Sequence, residues 1–221
     1  MITRREFVAG TSSLALAAAL LKVSDFSLIT PAFAQDDNPT VSVMELMAPG
    51  PLPEQSLGKA DAPVTVVEYA SMTCSHCAHF STTTFPEVKK RYIDTGKVRF
   101  ILREFPLDPL AAGGFMLARC AGEGKYFPLV ETLFQEQAKW VVQKPIQPLF
   151  ELVKQTGFTQ ESFNACLKDQ KVLDAIEQIR SKGEKLGVNS TPCFFINGKM
   201  FRGALSIEDM AAAIDPLLKN T

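Results

Sequence analysis

The stretch Met72-Thr73-Cys74-Ser75-His76-Cys77-Ala78-His79-Phe80 holds two of the chain's five cysteines and both of its histidines. Its flanks decide how it is read. Upstream, Val64-Thr65-Val66-Val67-Glu68-Tyr69-Ala70 is β-branched and apolar and follows the turn signal Asp61-Ala62-Pro63, which predicts a buried strand. Downstream, Ala78 to Tyr92 has helical spacing, with Phe80, Phe85, Val88 and Tyr92 on one face and a kink expected at Pro86. The Cys-x-x-Cys pair therefore sits where a strand turns into the first turn of a helix.

That position acts on Cys74. A helix start presents unpaired N–H groups and the positive end of the macrodipole, both of which favour a thiolate. The Cys77 N–H and thiol can hydrogen-bond to the Cys74 sulfur, and a donating His76 adds to the effect. Such surroundings lower a cysteine pKa from about 8.5 to ~3.5–7.5. Stabilising the reduced form makes the Cys74–Cys77 disulfide a better oxidant, by roughly 30 mV for each ~1.4 kcal/mol. Glu68 interrupts an apolar strand six residues before Cys74. It is expected to relay the Cys77 proton, the plain alternative being a strand-end carboxylate that reaches solvent.

The same cluster can be read as a metal site. Structural zinc wants four ligands, and the chain has no third histidine, while Cys120, Cys166 and Cys193 are dispersed singles. A cuprous ion can be held by two thiolates, so a copper-binding carrier stands as the rival from a different functional class. A disulfide reductase or isomerase with the same site is the rival within the chemistry.

Compartment comes from the N-terminus. Arg4-Arg5 precede an apolar, Ala-rich run from Phe7 to Leu21, and Ala32-Phe33-Ala34 offers small residues where a signal peptidase cuts. The run falls short of the roughly 20 apolar residues of a membrane span. Residues 1–34 are thus expected to be a cleaved export signal, twin-arginine or Sec, with cleavage near Ala34/Gln35 and no cysteine for a lipid anchor. The formal net charge is −1 for the chain and −2 once Arg4, Arg5, Lys22, Glu6 and Asp25 leave with the signal. No basic stripe suggests nucleic acid. The periplasm is oxidising, so its cysteines pair or act as catalysts.

Near the other end the chain reads Asn189-Ser190-Thr191-Pro192-Cys193-Phe194-Phe195-Ile196-Asn197-Gly198-Lys199. Cys193 to Ile196 is an apolar strand, Asn197-Gly198 a hairpin turn and Lys199 to Arg202 the return strand, ahead of a last helix from about Ser206 to Leu218. A strand bearing Glu68, then Cys74-Ser75-His76-Cys77, then Thr191-Pro192, a strand and an Asn-Gly hairpin resembles the thioredoxin superfamily. More closely, the chain is similar to the DsbA-like exported thiol:disulfide oxidoreductases over roughly residues 40–221.

The resemblance implies an α/β thioredoxin-like fold, at 61–109 and 187–221, interrupted by an all-helical insertion at 110–186 and preceded by an N-terminal segment at 35–60. It implies Cys74 as nucleophile, Cys77 as resolving partner, His76 as the residue tuning Cys74 and Glu68 as the buried carboxylate. Thr191-Pro192 would be a cis peptide facing Cys74 and binding substrate backbone. The implied reaction is disulfide donation to reduced or unfolded exported proteins, by a monomer. A membrane partner of the DsbB type would reoxidise it, and no cofactor beyond the Cys74–Cys77 disulfide is needed. Ser75 departs from the proline of the best-known oxidases. Cys193 departs too; it is expected to be a partly buried free thiol at a strand start, the alternative being a thiol close to Cys74.

The insertion reads as four helical stretches: Ala111–Ala121, Tyr126–Trp140, Ile146–Gln155 and Glu161–Leu186. Cys120 and Cys166 lie mid-helix among apolar neighbours and are either core packing or a structural disulfide.

Overall fold

In the computed structural model, residues 38–219 are described, and the expected export signal at 1–34 lies outside them. The N-terminal segment carries the short helix α1 (Val43–Met47) and strand β1 (Gln55–Leu57). Next come β2 (Val64–Ala70) and a helical stretch over 75–93, then β3 (Val98–Glu104). A run of helices follows: α4 (Pro109–Cys120), α5 (Tyr126–Gln135), α6 (Gln137–Trp140), α7 (Ile146–Lys154), α8 (Gln160–Leu167) and α9 (Gln170–Lys185). The chain closes with β4 (Cys193–Ile196), β5 (Lys199–Arg202) and α10 (Ile207–Leu218).

The five strands form one sheet in the order β1-β3-β2-β4-β5. β2 and β3 run parallel, while β2–β4, β4–β5 and β1–β3 are antiparallel. The β4–β5 hairpin turns at Asn197 and Gly198, both at positive φ, as a two-residue hairpin loop requires. The N-terminal segment is more than a leader to this sheet. β1 pairs with the β3 edge, and buried Arg103 donates to the Leu46 carbonyl at 2.7 Å and to Glu54 at 3.1 Å. At three residues, β1 is too short to leave a period in the sequence.

Because side chains alternate along a strand, the sheet has two packed faces. Val66, Ala70, Phe100, Leu102, Phe194 and Ile196 face the larger core, which also takes Phe80, Phe85 and α10. Val67, Tyr69, Ile101, Cys193 and Phe195 face a smaller core closed by Leu46, Leu186 and Val188. α9 passes close over this second face at Gly183, where a Cβ would come within 2.7 Å of the Tyr69 ring.

The helical stretch over 75–93 departs from one kinked helix. Its α-helical pieces, α2 (Ser75–His79) and α3 (Phe85–Val88), are each followed by a π turn, Phe80–Thr84 and Lys89–Ile93. Pro86 has no N–H to give, and the widened turn before it absorbs that loss. Thr82 and Thr83 donate their hydroxyls to the Ala78 and His79 carbonyls at 2.8 and 2.7 Å. The π turn also keeps Phe80 and Phe85, five residues apart, both buried in the larger core.

Two of the four helical stretches in the insertion divide. Tyr126–Trp140 breaks at Glu136, and the last breaks at Lys168-Asp169, where Asp169 accepts from the Lys171 and Val172 N–H groups and caps α9. A buried ion pair docks the insertion on the sheet: Arg119 of α4 lies 2.5 Å from Glu104 of β3, and Tyr126 of α5 donates to the same carboxylate at 2.9 Å. A disulfide joins Cys120 at the end of α4 to Cys166 in α8, 46 residues apart. Closing a loop of that length contributes about 4 kcal/mol by the chain-entropy argument. Replacing both cysteines by alanine is therefore expected to lower the urea-unfolding free energy by roughly 2–4 kcal/mol. Disulfide-transfer activity should be unchanged at low temperature.

Candidate active site

The strand–helix junction makes Cys74 the N-cap of α2, with extended φ −77° and ψ 119°. The Ala78 N–H reaches back to its carbonyl at 3.1 Å, so its sulfur stands over the open first turn. Cys74 and Cys77 are both free thiols here, Cys74 half-buried and Cys77 buried. The Cys74 pKa is lowered to about 5. The largest cause is the Cys77 thiol donating to it; the Thr191 side chain and the Cys77 and His76 backbone N–H groups add, while partial burial opposes. At pH 7 the sulfur is then an anion in about 99 of 100 reduced molecules.

Thr191 comes from the far end of the chain. The Thr191–Pro192 peptide is cis, and the Cys74 thiol can donate to the Thr191 carbonyl at 3.3 Å. The Thr191 hydroxyl is buried and bonds no neutral group, so the thiolate is the acceptor that can use it. Carbonyl and hydroxyl thus serve the two protonation states of one sulfur.

Behind the pair, charge is disfavoured. Burial, then hydrogen bonding to Cys74 and the proximity of Glu68, hold the Cys77 thiol well above its ordinary range. Glu68 lies on the larger-core face of β2, only 5 % exposed, and burial followed by repulsion from Cys74 raises its pKa to about 8. Reaching solvent from the strand end is therefore excluded for Glu68. At neutral pH it is a carboxylic acid beneath a cysteine that resists ionising.

His76 tunes Cys74 through its backbone N–H, while its imidazole, like that of His79, is exposed. Cys193 is a plain free thiol at a strand start, as expected, and more deeply buried than that expectation has it. It pairs with Tyr69 in the β2–β4 ladder and points into the smaller core, fully buried, on the sheet face opposite Glu68. Following Pro192 in sequence does not bring its thiol to Cys74, because alternation turns it away. Burial pushes that thiol up to about 11, which makes it a poor nucleophile.

Three supports escape the sequence. Gln137 of α6 donates to the Met72 and Cys74 carbonyls at 2.9 and 3.0 Å, clamping the turn before α2. Thr73 donates to Asp108 at 2.5 Å, and the Leu107 N–H donates to Ser71 at 3.2 Å. Each joins residues 35 or more apart, and no local pattern marks such a pair.

A buried carboxylic acid with a raised pKa adds stability below its unfolded value and loses it as pH rises toward its folded value. For Glu68 that window runs from 4.5 to about 8. In the reduced protein, Glu68→Gln should gain on the order of 3 kcal/mol relative to the unsubstituted chain on going from pH 4 to pH 7. Urea titrations at the two pH values check this. Thr191→Val removes a donor to a charged sulfur, worth ~1.5–3 kcal/mol, and is expected to raise the Cys74 pKa by about one unit. Thiolate absorbance against pH reads that shift.

Comparisons with known proteins agree with this geometry. Residues 52–216 match the thioredoxin family model. A Rickettsia bellii protein with the provisional description of protein-disulfide oxidoreductase is 33% identical over 202 residues, covering 88% of this chain and 77% of its own. The crystal structure of Wolbachia pipientis alpha-DsbA1 superposes with a TM-score of 0.75 at 32% identity, covering 81% of this chain and 97% of that one. Oxidised BdbD from Bacillus subtilis shares the fold with a TM-score of 0.68 at 23% identity, over 82% of this chain and 97% of its own. With these likenesses and the thiol pair at its strand–helix junction, the chain belongs to the thioredoxin superfamily as a DsbA-like thiol:disulfide oxidoreductase.

Proposed function

We propose that the protein is a periplasmic dithiol oxidase that donates the Cys74–Cys77 disulfide to reduced exported proteins. The observation that carries this direction is the opposed pair of thiols, one held as an anion at the helix start and the other held neutral by burial. A sulfur stabilised as an anion is a good leaving group and a poor one to keep in a disulfide. A fall of two units below neutral pH makes the couple at most ~60 mV more oxidising, less after solvent screening of the half-exposed sulfur.

The step balances as follows. A client thiolate attacks Cys74 Sγ, forming a mixed disulfide and breaking the bond to Cys77. The Cys77 sulfur leaves with the electron pair and takes a proton, which Glu68, protonated at neutral pH, would give. A second client thiolate then attacks the client sulfur, and Cys74 departs as the stabilised thiolate. The client gains a disulfide, and Cys74 and Cys77 are reduced by two electrons. An extended client segment would lie along Thr191-Pro192 in the mixed disulfide.

Export supports the location: Arg4-Arg5, the apolar run and Ala32-Phe33-Ala34 would send the mature chain to the periplasm. No helix among the described residues is long and apolar enough to cross a membrane. A membrane protein of the DsbB type would restore the disulfide by the reverse exchange at the same sulfur.

Equilibration with glutathione buffers tests the direction. An oxidase should show a Cys74–Cys77 potential above about −180 mV, and a value below about −220 mV would assign the site to a reductase. In the same buffers, where oxidised glutathione supplies the oxidant by first capping Cys74, Cys77→Ala should accumulate mixed disulfides with a reduced client as glutathione leaves, while Cys74→Ala should give neither capture nor turnover.

A further inference from the structure

Gln137 of α6 reaches out of the helical insertion to the turn that carries Cys74. Both of its amide hydrogens are used there, one on the Met72 carbonyl at 2.9 Å and one on the Cys74 carbonyl at 3.0 Å. A carbonyl oxygen has two lone pairs, and the second at Cys74 takes the Ala78 N–H at 3.1 Å. The Cys74 N–H in turn donates to the Ser71 carbonyl at 3.1 Å. The peptide groups on both sides of Cys74 are therefore tied down.

A bond of this kind could simply moor the insertion, but the insertion is moored by other means. Trp140, three residues after Gln137, is fully buried and donates its Nε1–H to the Leu133 carbonyl at 2.8 Å. A Cβ on Gly114 of α4 would meet both Met72 and Trp140 within 3.4 Å, so these side chains already interlock. Arg119 docks α4 on Glu104, and Asp108 holds Thr73. What Gln137 adds is a hold on one peptide unit, the one joining Cys74 to Ser75.

That unit aims the donors at the sulfur. A peptide group is planar, so a fixed Cys74 oxygen fixes the Cys74 ψ, here 119°, and the direction in which the helix sets out. The His76 and Cys77 N–H groups that donate to the Cys74 sulfur lie two and three residues along that path. Rotation about ψ would swing the sulfur off the first turn and lose them.

We propose that Gln137 is a positioning residue for disulfide exchange: by fixing the Cys74–Ser75 peptide it keeps the helix-start donors on the Cys74 sulfur and so sets how oxidising the Cys74–Cys77 disulfide is. The inference deepens the oxidase reading and rests on Cys74 as the sulfur that a client attacks and later releases. The step it serves is that release. The second client thiolate attacks the client sulfur of the mixed disulfide, the bond to Cys74 breaks, and Cys74 keeps the electron pair as its thiolate. Gln137 touches neither sulfur and acts through the Cys74 backbone.

The charged surroundings leave this effect readable. His76 and Cys77 flank Cys74 on α2, Glu68 faces it from β2, and Asp108 is joined to the turn through Thr73. Glu68 holds its proton to about pH 8, so it does not change state between pH 4 and pH 7. On α6 itself Lys139 is exposed and pairs with Glu136. Gln137 thus brings donors to the turn without bringing a charge.

The test compares Gln137→Met, which keeps the reach and drops the donors, with Gln137→Lys, which keeps donors. Each full-length variant is equilibrated with glutathione buffers, and Cys74 is titrated by thiolate absorbance. At pH 7 Gln137→Met should make the disulfide about three- to tenfold less oxidising, the worth of one net hydrogen bond. The Cys74 titration should rise in step by about 0.5–1 unit, since each unit is tenfold while the reduced sulfur is ionised. Near pH 4 the difference in equilibrium should close, because a stabilised thiolate contributes only above its own pKa, about 5. Gln137→Lys should stay at or above the unsubstituted value, and Lys139→Met should move neither reading. A merely structural latch would lower the urea-unfolding free energy of Gln137→Met while both Cys74 readings stayed put, and that result overturns the proposal. A shift that persists near pH 4, or that Gln137→Lys shares, overturns it as well. The oxidase reading is judged separately, on the unsubstituted chain: it falls if that chain equilibrates as a reductase, whereas Gln137 is judged by the difference between variants.

Discussion

The antiparallel pairing of β2 with β4 is the constraint on which the site depends. It opposes Glu68 to Phe194 and Tyr69 to Cys193, two strands separated by the whole helical insertion. Only through that register does Thr191 arrive at Cys74, 117 residues earlier in the chain. A slip of one residue would exchange the two faces of β4. Phe194 would leave the core that supports Phe80, and Cys193 would turn toward Cys74. A buried thiol beside the catalytic pair would offer a competing disulfide. The alternation of an ordinary apolar strand prevents it.

Within that frame one variable, access to water, sets three ionisations in opposite directions. Cys74 is half-exposed at a helix start and collects four donors, so the anion wins over its partial burial. Three residues on, Cys77 is fully inside the first turn and burial keeps its proton. Glu68, deeper still, has no basic partner and stays neutral to about pH 8. Replacing the buried acid by an amide would leave the donors to Cys74 in place and remove one of the influences that keep Cys77 protonated. The donors to Cys74 belong to the helix and to Thr191, so thiolate formation does not depend on Glu68.

Legibility followed the range of the interactions. The strand before Cys74, the Cys-x-x-Cys turn, the Asn-Gly hairpin and the Ser206-capped last helix are written in consecutive residues, and the structure places each within a residue or two. Glu68 was conspicuous because a charge in an apolar strand has no local explanation. The π turns were hidden, since Pro86 announces a disturbance without saying which turn absorbs it. The period of the strand sets the side to which Cys193 points and leaves it the plain strand-start thiol expected, although Pro192 is its neighbour in sequence. Gln137, Asp108 and β1 left no trace, because each matters only through a partner dozens of residues away.

The insertion does more than enlarge the molecule. From it come Gln137, which holds the Met72 and Cys74 carbonyls, and Tyr126, which bonds Glu104 at the end of β3. It also supplies Phe127, Val130 and Phe134, the apolar lid that keeps water from flooding Glu68. A lid that leaked would let Glu68 ionise at neutral pH, while Cys74 kept its donors. The helical layer is therefore what keeps this single buried acid hard to ionise.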